Sequence, residues 1–166
     1  MTYFSSDFKL GILGGGQLGK MMLTETRKFD IQTYVVDPSS EAPCQFGATK
    51  FFQGSLNDYQ TVMDLGNQVD VLTIEIENVN LEALEALEAA GKKVYPSPKT
   101  LRLISNKGNQ KDFYIQHNVP TAPYKRFATL QALKDEVNKG NIEMPFVWKA
   151  TEGGYDGNGV KVVRKI

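Results

Sequence analysis

Near the C-terminal end, Gly153-Gly154-Tyr155-Asp156-Gly157-Asn158-Gly159 separates Phe146-Val147-Trp148-Lys149-Ala150 from Val160-Lys161-Val162-Val163-Arg164. Both flanks are rich in β-branched and aromatic residues, so they predict two strands joined as a hairpin. An ordinary hairpin turn needs one or two glycines for positive φ. Four in seven positions leave a run of bare backbone N–H groups able to hold an anion, with phosphate the obvious candidate. Lys149 alternates in direction with its strand neighbours and can point toward whatever the loop covers. A mobile surface hairpin with a solvated lysine is the competing reading, and spacing alone leaves it open.

A second glycine constellation lies at the other end of the chain. Gly14, Gly16 and Gly19 satisfy G-x-G-x-x-G after the apolar run Lys9-Leu10-Gly11-Ile12-Leu13. Asp37 closes the next predicted strand about 20 residues on, which completes the dinucleotide fingerprint. Taken alone this favours NAD. Its physical content is broader, because glycines at a strand-to-helix turn let any phosphorylated ligand reach the helix N-terminus. A tight turn that only serves helix packing is the alternative. Farther on, Asp70-Val71-Leu72-Thr73-Ile74-Glu75-Ile76-Glu77-Asn78 predicts a strand with Thr73, Glu75 and Glu77 on one face at its carboxyl end, where open α/β sheets bind ligands. Such acids can accept hydrogen bonds from ribose hydroxyls or simply be solvated.

Other chemistry is sparse. His117 is the single histidine, at a predicted helix end where a surface role is the expectation. Cys44 is alone, which rules out an internal disulfide and suits a reducing compartment; it reads as a small semi-apolar residue. No Cys/His/Asp/Glu cluster has metal-ligand spacing, and one histidine does not assemble a Ser/His/Asp arrangement. Nineteen basic residues balance nineteen acidic ones, so no net field draws the chain to nucleic acid or an anionic membrane. Residues at the start of the sequence do not form a basic segment followed by a signal-type core, and no apolar run approaches the roughly 18 to 20 residues of a membrane span. The expectation is a cytoplasmic protein.

The elements that must position these groups follow from periodicity. Strands are predicted at Lys9–Leu13, Ile31–Asp37, Lys50–Phe52, Val69–Ile76 and Lys93–Tyr95. Helices are predicted from the first glycine loop to about Phe29, at Asp58–Gly66, and at Leu81–Ala90 between the N-cap Asn80 and the stop Gly91. Alternation at this spacing argues for a parallel sheet covered on both faces, a Rossmann-like α/β domain. After Pro98 the pattern changes to two successive helices, Lys99–Ile104 and Asn109–His117, and the proline-stiffened connector Val119-Pro120-Thr121-Ala122-Pro123. Tyr124–Ala128 then predicts a strand and Leu130–Asn138 a helix, before the hairpin.

Taken in order, Gly14-Gly15-Gly16-Gln17-Leu18-Gly19, Glu75-Ile76-Glu77-Asn78-Val79, Val119-Pro120-Thr121-Ala122-Pro123 and the second glycine loop make the chain resemble the N5-carboxyaminoimidazole ribonucleotide synthetases, ATP-grasp carboxylases of purine biosynthesis. The resemblance implies a Rossmann-like pre-ATP-grasp domain over 1–98, a helical linker over 99–123 and the beginning of an ATP-grasp domain over 124–166. In that family ATP and bicarbonate give carboxyphosphate and ADP, magnesium assists, and the amine of aminoimidazole ribonucleotide is carboxylated. By resemblance Gly16, Gln17 and Leu18 would face the ribonucleotide, with Glu75 near its ribose. Lys107, Lys149 and Gly154, Tyr155, Asp156, Gly157, Asn158, Gly159 and Val160 would hold ATP, Tyr155 and Asp156 lying where the two substrates meet as the catalytic pair.

Two positions depart from the pattern: Lys107 stands where the family usually has arginine, losing the bidentate fork, and Asn158 stands where arginine or lysine is common. The resemblance places the magnesium-binding carboxylates and most of the adenine pocket beyond Ile166, and it implies a homodimer. The expectation is therefore an N-terminal portion that does not turn over ATP alone. An NAD-dependent oxidoreductase and a non-catalytic ligand-binding module are the alternatives.

Overall fold

The computed structural model describes residues 6–153 and 158–165. The chain forms two units, Met1–Arg102 and Leu103–Ile166.

In the first unit five parallel strands lie in the order β3-β2-β1-β4-β5: β1 Lys9–Leu13, β2 Gln32–Asp37, β3 Lys50–Gln53, β4 Val71–Ile74 and β5 Lys93–Tyr95. Helix α1 (Gln17–Thr26) carries the chain from β1 outward to β2. Helices α2 (Tyr59–Gln68) and α3 (Leu81–Ala89) carry it the opposite way, to β4 and β5. Right-handed crossovers in opposite directions must place their helices on opposite faces. The core divides accordingly. Ile12 and Val35 pack with Leu23 of α1 and Cys44. Their strand neighbours Leu13, Tyr34 and Val36 pack with Val62 and Leu65 of α2 and Leu84 and Leu87 of α3. Period-two alternation along a strand buried on both faces produces this division. Each fully buried aliphatic chain contributes about 1.5–3 kcal/mol.

Local signals agree with the packing. The Asp58 carboxylate accepts the Thr61 N–H at 2.7 Å and caps α2, which together with the Thr61 hydroxyl holds its pKa below the ordinary value. Asn80 accepts the Ala83 N–H at 2.8 Å and caps α3. Gly91 takes φ +88° after that helix, a left-handed stop that favours glycine.

The strand expected over Val69–Ile76 is shorter. Its pairing with β1 ends at Leu13↔Ile74, because Gly14, at φ +101°, turns β1 away. Glu75 and Glu77 therefore lie beyond the strand and do not share a pleat face with Thr73. Glu75 is half-buried and Glu77 exposed.

In the second unit, α5 (Lys107–Gln116) is capped by Asn106 and α6 (Leu130–Asn138) by Thr129. Strands β6 (Phe146–Lys149) and β7 (Val160–Val163) pair antiparallel, Lys149 opposite Val160. Helix α4 (Pro98–Ile104) precedes α5. The strand expected at Tyr124–Ala128 is absent, and no described strand pairs with it. Side chains anchor this segment instead. The Tyr124 hydroxyl donates to Asp112 of α5 at 2.6 Å, and Arg126 also pairs with Asp112. The Arg126 guanidinium covers Gly108 so closely that a Cβ there would lie 2.7 Å from it. Alternating side chains here report contacts to a helix, not a ladder.

Candidate functional site

In a parallel sheet every strand delivers its following loop to one edge. Chain direction across the sheet reverses between β1 and its neighbour β4, so the loops after these strands diverge and leave the crevice in which open α/β sheets hold ligands. The first glycine loop follows β1 and Glu75 follows β4. Their backbones are joined directly, the Glu75 N–H donating to Leu13 O at 2.7 Å.

The Glu75 carboxylate lies against the loop's bare backbone. A Cβ built on Gly16 would sit 2.7 Å from Glu75 Oε1, and one on Gly14 would sit 2.8 Å from Oε2. Side chains at either position would displace the acid. Gly19 is constrained from the other side, where a Cβ would come within 3.0 Å of Cys44 Sγ and 3.1 Å of Gly14 O. Gly16 is the N-cap of α1 and offers no side-chain cap. The first-turn N–H groups are thus open to a ligand, and a carboxylate stands beside them.

That combination selects a kind of ligand. Two unit negative charges about 4 Å apart repel by roughly 4 kcal/mol at the effective dielectric of a protein surface. A pyrophosphate seated on this loop would meet Glu75. A sugar hydroxyl or an amine would donate to it. Asp37, the acid of the dinucleotide fingerprint, is also engaged: Oδ2 accepts the Gly15 N–H at 2.7 Å and Oδ1 the Ser39 N–H at 2.8 Å. The geometry favours a hydroxyl or amine donor over a pyrophosphate at this loop.

Cys44 is fully buried beneath the loop, its Sγ 3.8 Å from Gly16 O. Burial, then the Glu75 and Asp37 charges, push its thiol pKa up, with Lys20 opposing. Burial with a raised thiol pKa is the setting of a packing cysteine.

In the second unit, Lys149 is exposed near the end of β6, and Ala150 N–H donates to Gly159 O at 2.8 Å, closing the hairpin one step past the strands. Gly153 and Gly159 take φ +71° and +69° at the edges of the loop. Lys107, the first residue of α5, donates its N–H to Thr151 O at 2.8 Å, and the Asn106 amide donates to Glu152 Oε1 at 2.7 Å. The start of α5 is therefore brought to the base of the second glycine loop, with Lys107 and Lys149 on the two converging elements. Asn158 and Val160 are exposed beside Gly159. Gly154, Tyr155, Asp156 and Gly157 lie outside the described residues. Sequence reasoning started α5 at Asn109 and missed the stitch from Asn106 and Lys107. An asparagine three residues before Asn109 was a readable cap signal, whereas nothing local announces a contact to residue 152. Among the described residues no group of three or more His, Cys, Asp or Glu side chains is placed to hold a metal ion.

Residues 8–105 match the ribonucleotide synthetase preATP-grasp domain. The chain belongs to that family. The two-sided sheet of residues 9–95 is the preATP-grasp fold, and the Gly16–Glu75 contact is set in its crevice. The chain is similar to the N5-carboxyaminoimidazole ribonucleotide synthase of Staphylococcus epidermidis strain RP62A, 34% identical over 93% of this chain and 40% of that protein. It is 36% identical to the phosphoribosylaminoimidazole carboxylase of Ogataea methanolica, over 93% of this chain and 29% of that protein. Among solved structures, the N5-carboxyaminoimidazole synthase of Aspergillus clavatus in complex with ADP and 5-aminoimidazole ribonucleotide superposes with a TM-score of 0.85 at 30% identity, covering 99% of this chain and 42% of that one. The chain thus spans two fifths or less of the curated relatives it matches here. Among the described residues no helix is long and apolar enough to cross a membrane.

Proposed function

We propose that this chain is the N-terminal portion of an ATP-dependent carboxylase that converts aminoimidazole ribonucleotide and bicarbonate to N5-carboxyaminoimidazole ribonucleotide. The observation that carries the reading is the Glu75 carboxylate against Gly14 and Gly16 at the open N-terminus of α1. Gly16, Gln17 and Leu18 supply backbone N–H groups to the ribonucleotide, and Glu75 accepts from its ribose. The segment 124–166 begins the ATP-binding domain. Lys149 and Lys107 offset charge on the ATP phosphates, and residues Gly154 to Val160 cover them, with Tyr155 and Asp156 toward the second substrate. Such a clamp works by positioning and charge neutralisation. The covalent step transfers the γ-phosphoryl group of ATP to bicarbonate. The ribonucleotide amine then attacks the carboxyl carbon, and phosphate leaves. Magnesium supplies charge neutralisation on the phosphates when bound, but the described residues hold no group fitted to ligate it. The functional assembly is a homodimer in this reading.

The test is an amide NMR titration of the chain with aminoimidazole ribonucleotide and, separately, NADH. The expected outcome is saturable shifts at Gly16, Gln17 and Leu18 with the ribonucleotide, lost in Glu75→Ala. Equivalent shifts with NADH and none with the ribonucleotide would overturn the assignment.

A further inference from the structure

Asp37 and Cys44 stand out because neither is used by the proposed chemistry, yet both hold the same residue of the glycine loop. The Gly15 N–H donates to Asp37 Oδ2 at 2.7 Å, and the Gly15 carbonyl accepts the Cys44 N–H at 3.0 Å. Gly15 is also wedged sterically: a Cβ there would lie 3.1 Å from Asp37 Cβ, 3.2 Å from Ala42 Cβ and 3.3 Å from Val35 Cγ1. The end of β2 and the segment after it thus hold Gly15 on both polar groups and leave little room for a side chain there. Asp37 is itself fixed by the Ser39 N–H on its second oxygen, at 2.8 Å.

The planarity of the peptide gives this grip a consequence. The Gly15 carbonyl and the Gly16 N–H belong to one rigid unit and point in opposite directions. Anchoring the carbonyl on Cys44 therefore directs the Gly16 N–H away from the 37–44 segment. We propose that Asp37 is a positioning residue of this site: it fixes the peptide before Gly15 while the Cys44 N–H fixes the one after it, and the two anchors together hold the Gly16 amide as a donor to the ribonucleotide without Asp37 touching the ligand. This inference rests on the proposed function for the identity of the ligand, but the brace itself is independent of it. It also gives the fingerprint acid a different task, since each oxygen of the carboxylate already accepts a backbone amide and is held against the loop.

The experiment uses the 166-residue chain and its Asp37→Asn variant, compared well below their melting temperatures. Asparagine keeps the volume but is neutral and offers a single acceptor oxygen, so the Gly15 amide loses its charged acceptor whichever of the two amides that oxygen keeps. The expected result is an upfield move and faster solvent exchange of the Gly15 amide. With it, affinity for aminoimidazole ribonucleotide should fall about tenfold, the scale of one charge-assisted hydrogen bond. A role in stability alone would lower the melting temperature and leave that affinity unchanged, which overturns the proposal. An unmoved Gly15 amide overturns it as well. If the Asn variant does not fold, Asp37→Glu, which keeps the charge and displaces it by one methylene, is read in the same two ways. Failure of the wild-type chain to bind the ribonucleotide overturns the functional reading instead, and the brace is then decided by the Gly15 amide.

Discussion

The two glycine loops look alike in sequence and are built on unlike supports. The first leaves a central strand whose last residues, Ile12 and Leu13, are fully buried, and its backbone is tied to β2 through Gly14 and Val36, to Asp37 and Cys44 through Gly15, and to α1 through Gly16. The second leaves a two-stranded hairpin in which Val147, Trp148, Val160 and Val162 are each at least 40% exposed. Its described anchors are the Ala150–Gly159 bond and the stitch to Asn106 and Lys107. An isolated two-stranded hairpin is marginally stable in water. Glycine therefore serves opposite ends: in the first loop it lets packed groups approach a fixed backbone, and in the second it supplies positive φ at the two edges of the loop.

The sharpest way to break this contrast is in the packing. Leu84→Ala, at a fully buried α3 position, is expected to lower the stability of the first unit by about 2–5 kcal/mol. Val147→Ala in the hairpin should change the stability of the second unit by less than about 0.5 kcal/mol. Denaturant unfolding followed by backbone amide signals in each unit measures both, and equal effects would remove the distinction. An intermediate effect is expected at the loop itself. Gly16 has φ −73°, so alanine is not strained there by backbone conformation, and the three atoms nearest to the added Cβ all belong to Glu75. Gly16→Ala should destabilise by about 1–3 kcal/mol, and the added Glu75→Ala should restore most of the loss. A double-mutant cycle with no coupling would show that Glu75 does not rest on Gly16.

The smallest effect belongs to the second unit and depends on pH. The Tyr124 hydrogen bond, then the Arg126 contacts, hold the Asp112 carboxyl below its ordinary value of 3.8. A carboxyl depressed on folding stabilises above its unfolded pKa, and that contribution disappears as pH falls through the lower folded value. Wild-type chain should thus lose a small increment of second-unit stability below about pH 4 that Asp112→Asn lacks at every pH. Thermal melts from pH 6 to pH 2 measure it, and parallel curves for the two proteins would refute the coupling.

Much of the first unit was legible because its signals are local. Asn80 and Gly91 bracket α3, and the glycines after β1 announce a strand-to-helix turn. What misled were patterns with more than one physical cause. Residues Val69 to Ile76 read as one apolar strand, but a ladder ends where its partner turns, and Gly14 turns β1 after Leu13. Tyr124 and Arg126 alternate as a strand does, yet both reach the same acid on α5. Asp37 at the end of β2 fits a dinucleotide fingerprint by spacing, and spacing is blind to the Gly15 and Ser39 amides that occupy it.

By itself, the sequence determined which residues have chemistry to offer and where backbone must be bare, because glycine, caps and strand periodicity act over a few residues. Only the tertiary structure decided what each group faces. Glu75 lies some sixty residues from Gly16, and Asp37 over twenty from Gly15. Parallel strands with crossover helices bring the ends of β1, β2 and β4 to one edge, where the charge of one carboxylate discourages a pyrophosphate while the other fixes the loop from behind.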